Sequence, residues 1–239
     1  MKKLLATLIL FCFIANTYAQ FTQHQQGKSS LMYKRAVLDV RFNKAGETVT
    51  YLMSEIEGSP YLLQNFVESQ VLLNNGDTLK SVLLNYNIFT DAIEFMKEGV
   101  PYILTNSFIL EKIKMDDKEF FYTKYLDLND QFKHGYAEGL VNGDCKLFKK
   151  YQVMFNEPVP AETQFENPRP AKFSEMDPYY FLYFQNKDKT SRISTFNKKK
   201  FSELFGEKES EILTYIKEKK LKLTEEADIK NVIEYYNTL

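Results

Sequence analysis

The chain has 239 residues, 44% of them hydrophobic and including 20 Phe and 16 Tyr, with 31 basic and 32 acidic side chains giving a formal net charge of −1. That apolar and aromatic content supports a packed core and excludes an unfolded chain. The balanced charge argues against a general nucleic-acid binder, which shows a basic excess.

The first elements belong to export. Lys2 and Lys3 precede an apolar run from Leu4 to Ile14, and the small residues Thr17 and Ala19 come before Gln20. This is the pattern of a signal peptide over residues 1–19, cleaved after Ala19. The apolar run is well short of the roughly 20 residues that span a bilayer. No later segment approaches that length, so no transmembrane segment is expected in the mature chain. Cys12 lies between Phe11 and Phe13 and reads as one more apolar residue of the leader. Cys145 is then the single cysteine of the mature chain, so an internal disulfide is excluded. It sits in the strand-like run DCKLF, where a buried small hydrophobe is a commoner role than a reactive thiol.

Residues 20–30 are rich in Gln, Ser and Gly without an apolar period and are expected to form a mobile tail. An antiparallel β domain is predicted over residues 31–155. Strands are expected at Ala36 to Phe42 and Thr48 to Met53, with Gly58, Ser59 and Pro60 breaking the pattern. Asn74 to Asp77, carrying an Asn-Gly pair, predicts a hairpin turn because those residues tolerate positive φ. Beyond it, Val82, Leu84, Tyr86 and Ile88 alternate on one face, a polar corner follows at Thr90 and Asp91, and Ile93 and Phe95 begin the return. Further strands are predicted at Pro101 to Leu104, Phe108 to Met115 and Glu119 to Leu126. A second Asn-Gly hairpin, at Asn142 and Gly143, joins Tyr136 to Val141 with Cys145 to Phe155.

Pro158, Pro160, Pro168 and Pro170 mark residues 156–175 as an extended surface segment that lies against the body through Phe165 and Phe173. Residues 176–239 should hold a last hairpin, Tyr179 to Phe184 with Arg192 to Phe196, and then helices. The period changes there: Phe201, Leu204 and Phe205, then Ile212, Tyr215 and Ile216, then Ile229, Val232, Ile233 and Tyr236 fall at helical spacing. Thr224 ahead of Glu225, Glu226 and Asp228 predicts a capped helix start. The fold class is therefore α+β, an antiparallel sheet (sandwich or half-barrel) followed by a C-terminal amphipathic helical pair packed on it.

Chemistry is sparse. Only His24 and His134 are present, and the sequence has no HExxH, GxSxG, Walker or dinucleotide motif, so no cofactor and no metal are expected. A Cys145 and His134 nucleophile pair would need an electropositive, exposed setting that the sequence does not indicate. Asn87, Asp91 and Glu94 are the weak candidates for ligand binding, through oxygen ligands to calcium or as an acid and base pair. Their structural alternative is a corner in which Asn87 and Asp91 bond backbone amides while Glu94 points to solvent. The aromatic clusters at Phe120 to Tyr125 and Tyr179 to Phe184 suit either a core or an apolar-ligand or sugar pocket. The lysines at Lys198 to Lys200 and at Lys217, Lys219, Lys220 and Lys222 suit an approach to an anionic membrane or glycan, but a solvated helix face with neighbouring glutamates is the commoner meaning.

The segments GSPYLLQNF, VLLNYNIFTDAIEF and NVIEYYNTL, in that order behind a signal peptide, resemble a group of uncharacterised secreted proteins of Bacteroidota-type bacteria. The resemblance implies export to the periplasm or cell surface and carries over no site residue. The expectation is a non-enzymatic, envelope-associated binding protein whose partner is an unknown envelope protein or apolar ligand. A periplasmic carrier of a lipid, or a hydrolase with an unrecognised site, stands behind it.

Overall fold

The computed structural model describes residues 33–36, 39–44, 47–161 and 167–239. The leader, the tail at residues 20–30 and Phe165 lie outside the described residues. The chain runs β1 (Tyr33–Arg35), β2 (Asp39–Lys44), β3 (Glu47–Leu52), β4 (Val67–Leu73), β5 (Thr78–Asn87), β6 (Ala92–Lys97), β7 (Val100–Leu104), β8 (Leu110–Met115), β9 (Lys118–Leu126), β10 (Phe132–Val141), β11 (Cys145–Asn156), β12 (Lys172–Phe184) and β13 (Lys189–Arg192). Helix α1 (Lys198–Ser202) continues through a 3-10 stretch at Glu203–Lys208 into α2 (Glu209–Glu218), and α3 (Glu226–Tyr236) follows.

Eleven of the described strands form one antiparallel sheet in the order β1-β7-β6-β5-β4-β8-β9-β10-β11-β12-β13, while β2 and β3 pair as a separate hairpin. The sheet curls into a half-barrel, which decides between the two architectures the alternation allowed. Both Asn-Gly turns are present. Gly76 takes φ +85°, and Asn75 Oδ1 accepts the Asp77 amide at 3.0 Å.

The main core lies between the sheet and the helices. Phe201, Phe205, Ile212, Ile216, Ile229, Val232 and Ile233 pack against Val141, Cys145, Leu147, Leu182, Phe184 and Ile193. Each large apolar side chain enclosed this way contributes about 1.5–3 kcal/mol. The helices are too short to persist alone and depend on this shared face. Asn237, just past α3, holds the last turn down: its Oδ1 accepts the Cys145 amide at 2.8 Å and its Nδ2 donates to the Cys145 carbonyl at 3.0 Å. A Cβ on Gly143 would collide with that carboxamide.

Some boundaries differ from the pattern reading. β12 begins at Lys172, inside the segment assigned to the surface, so Phe173 is a buried strand residue. The described residues of the proline stretch stay outside the large sheet, and two of them, Val159 and Arg169, form an isolated bridge with each other. The last hairpin turns at Asp188, in the left-handed conformation at φ 45°, within the expected connection from Asn186 to Lys189, but its second strand follows at once as Lys189–Arg192 instead of Arg192 to Phe196. Thr224 does not cap α3, which starts from Glu225 without a side-chain cap bond. Asp228 Oδ2 instead accepts the Lys222 amide at 2.7 Å.

One irregularity organises the functional region. β10 pairs with β9 from Phe132 to Glu138, but with β11 only from Glu138 to Val141. β11 meanwhile follows β12 along its length. The sheet therefore forks at Tyr136. The corner between β5 and β6 enters the fork, with Phe89 packed on Phe155 and Phe173 at ring separations of 6.2 and 5.2 Å.

Candidate functional site

Asp91 is carried into the fork by that corner, in the left-handed conformation at φ 51° that Asp tolerates better than most side chains. Gly135 makes the approach feasible, since a Cβ there would collide with the Asp91 carboxylate. Across the fork, Lys150 projects from β11 on the same face as Phe148. Lys150 Nζ lies 2.7 Å from Asp91 Oδ1. It also donates to the Tyr136 carbonyl at 2.7 Å and the Tyr86 hydroxyl at 3.1 Å. Asp91 Oδ1 accepts the Tyr136 amide at 3.1 Å and the Tyr86 hydroxyl at 2.8 Å. The backbone groups of Tyr136 that a neighbouring strand would pair are thus bonded by two side chains of opposite charge.

Electrostatics follow from this enclosure. Burial pushes the Lys150 ammonium below its usual pKa, against the pull of Asp91. Tyr86 and Tyr125 are raised by burial first and by the Asp91 charge second. The Lys150 ammonium also lies 4.5 Å from the centre of the Tyr125 ring, a cation–π contact. Oδ2 of Asp91 is the less engaged oxygen, with the Tyr125 hydroxyl at 3.3 Å.

Glu94 and Asn87 form a second, separate group. Asn87 Nδ2 donates to Glu94 Oε1 at 2.9 Å, and the Tyr61 hydroxyl donates to Oε2 at 2.8 Å. Glu94 is 1% exposed, so the expectation that it points to solvent is corrected. The reason is the segment around Tyr61, which bonds along the end of β5 through Leu62 N to Tyr86 O and Ile88 N to Pro60 O and closes over that face. Burial raises the pKa of Glu94, opposed by its two hydrogen bonds. Asn87 Oδ1 also accepts the Thr90 amide at 3.1 Å, the turn-fixing bond expected of it. Asp91 bonds the amide of Tyr136 on β10 rather than one of its own corner. The three sequence candidates are therefore divided between two networks, with Asn87 and Glu94 together and Asp91 apart.

Pattern reading missed Lys150, Tyr86, Tyr125 and Tyr136 as partners. A signal was present: Lys149 and Lys150 are consecutive in a strand, so one must share a face with Phe148. Gly135, Ala137 and Gly139 alternate on β10 and leave room on that same face.

The remaining candidates have settled surroundings. Cys145 is fully buried beneath the helices, and burial pushes its thiol up to about 12. His134 is exposed and packs with Phe108 and Tyr122 instead. The strand aromatics fill space: Phe148 and Phe181 stack at 5.1 Å within a cluster that includes Tyr125 and Ala137. Among the described residues no group of three or more His, Cys, Asp or Glu side chains is placed to hold a metal ion. No described helix is long and apolar enough to cross a membrane. No protein-family model, curated protein or solved structure matches the chain.

Proposed function

We propose that the protein is an exported, non-enzymatic module of the cell envelope that acts by binding a partner. The observation that carries this reading is that Asp91, Lys150 and Glu94, the groups acid–base chemistry would draw on, are bonded into the fold. Lys150 has all three donors engaged, and the Glu94 carboxylate has both oxygens engaged. A thiol held as high as that of Cys145 is a poor nucleophile. Two large aromatic side chains, by contrast, stand exposed close together, Phe132 on β10 and Phe108 in the turn that faces it.

The close ring packing around Phe148 and Phe181 weighs against a carrier that encloses an apolar ligand. Native mass spectrometry of the protein purified from its own envelope, followed by organic extraction, tests the reading. A retained partner or a clean mass without turnover is expected. Saturable turnover abolished by one point substitution would overturn the module, and co-extracted lipid would promote the carrier. Cys145 gives a simpler check: its thiol should react with a thiol reagent only at the rate of unfolding.

A further inference from the structure

We propose that the aromatic face of β9 and β10, together with the turn at Phe108, docks on a lipid bilayer surface that carries anionic headgroups. This rests on the envelope-module reading and names its partner. Phe108 and Phe132, 69% and 58% exposed, are the two most exposed large apolar side chains among the described residues. They are linked through His134, whose ring lies 6.0 Å from that of Phe108. His134 shares a face of β10 with Phe132, two positions away. Tyr122 meets Phe108 edge-on at 5.1 Å. Leu128, 51% exposed, sits in the turn that joins the two strands. Phe108, Tyr122 and His134 form one connected ring group with Phe132 further along the same strand face, and such grouping, unlike scattered surface residues, marks an interaction site.

The exposure is built into the backbone. Asn74 Nδ2 donates to the Phe108 carbonyl at 2.8 Å, and the Asn74 amide to that of Ile109 at 2.9 Å. The Ser107 hydroxyl is tied to that of Tyr136 at 2.7 Å. Pinned on both sides, the turn holds the Phe108 ring outward.

The charges around the patch point to a bilayer. Lys124 Nζ lies 4.2 Å from the centre of the Phe132 ring and has no carboxylate partner among the described residues. The two acids of the turn between β9 and β10 are matched, Asp127 by Lys133 at 2.7 Å and Asp130 by Arg192 at 2.7 Å. The patch therefore presents apolar rings beside a lysine with no carboxylate in ion-pair contact among the described residues. A protein partner would need a fitted pocket for each ring. A bilayer interface receives Phe and Leu in its acyl boundary, Tyr and His at headgroup depth, and a lysine that reaches lipid phosphate.

The chain has no tryptophan, so Phe108→Trp and Phe132→Trp give site-specific probes. With mixed phosphatidylethanolamine and phosphatidylglycerol vesicles, each should shift to the blue and be quenched by brominated lipid. In vesicle flotation, the double variant Phe108→Ser, Phe132→Ser should lower partitioning about 100-fold. Lys124→Gln, which removes one charge, should lower it about fivefold, on anionic vesicles only. Unshifted probes, or a double variant that floats like the parent, would overturn the proposal, and retained circular dichroism shows that the variants are folded. If vesicles fail while a protein or glycan is retained in native mass spectra, docking falls and the module reading stands. Turnover would remove the module reading and leave the vesicle result intact.

Discussion

Lys150 has three ammonium protons, and Asp91, Tyr136 and Tyr86 accept them. Removing one partner of such a buried pair leaves the other charge unmatched, a loss of about 3–5 kcal/mol. Lys150→Met should therefore cost that much in urea unfolding, and a cycle with Asp91→Asn should show the two sites strongly coupled. A loss under about 1 kcal/mol would mean that water replaces the pair. Glu94 gives the pH dependence. Its folded pKa is raised, so the native state holds its proton more tightly than the unfolded chain. Its contribution is fully present below the unfolded pKa of about 4.3 and is lost as pH rises through the folded value. Glu94→Gln should flatten stability over that window and leave neutral-pH stability within about 1 kcal/mol of the parent. An unchanged slope in denaturant titrations at several pH values would assign the dependence to another group.

At the scale of elements, the helix ends separate a cap that forms from one that does not. Asn197 Oδ1 accepts the amides of Lys199 and Lys200, each at 3.1 Å, and starts α1. Asn197→Ala should cost about 1 kcal/mol. Thr224→Ala should cost almost nothing, and equal losses in thermal melts would show that the Thr224 hydroxyl acts after all. The Thr224 reading failed because a hydroxyl in sequence position to cap does so only if the backbone turns toward it, and here the Asp228 carboxylate closes that turn. The Asn-Gly turns, the alternation of β5 and the helical spacing after Phe201 were legible because each is a local property. The fork was not. It depends on Gly135, Lys150 and the β5–β6 corner meeting across long stretches of chain, and periodicity within a strand says nothing about where its neighbour departs.

For the whole molecule, sheet and helices share one core, so neither is expected to unfold alone. Leu182, fully buried between them, makes the check. Leu182→Ala should lose about 2–5 kcal/mol. Loss of helical circular dichroism and of tyrosine signal should remain coincident in it, as in the parent. Two separated transitions would show that the helices form an independent unit. The antiparallel sheet and the helical end could be read from pattern because buried faces impose period, whereas the half-barrel required knowing how strands far apart in sequence curl together. The candidate residues were legible only in part for the same reason: Asn87 and Glu94 meet through neighbouring strands, but Asp91 finds its partners beyond them.

The fork also leaves one seam of the sheet with a short backbone ladder. Between β10 and β11 the backbone ladder covers only Glu138 to Val141, and the next fastening is the carboxylate and ammonium at Tyr136. The Tyr136 amide is therefore shielded from solvent by a side chain rather than by a strand. Its hydrogen exchange becomes a gauge of how often the β5–β6 corner withdraws, and that withdrawal unlatches the sheet along one seam while the strands on either side stay paired.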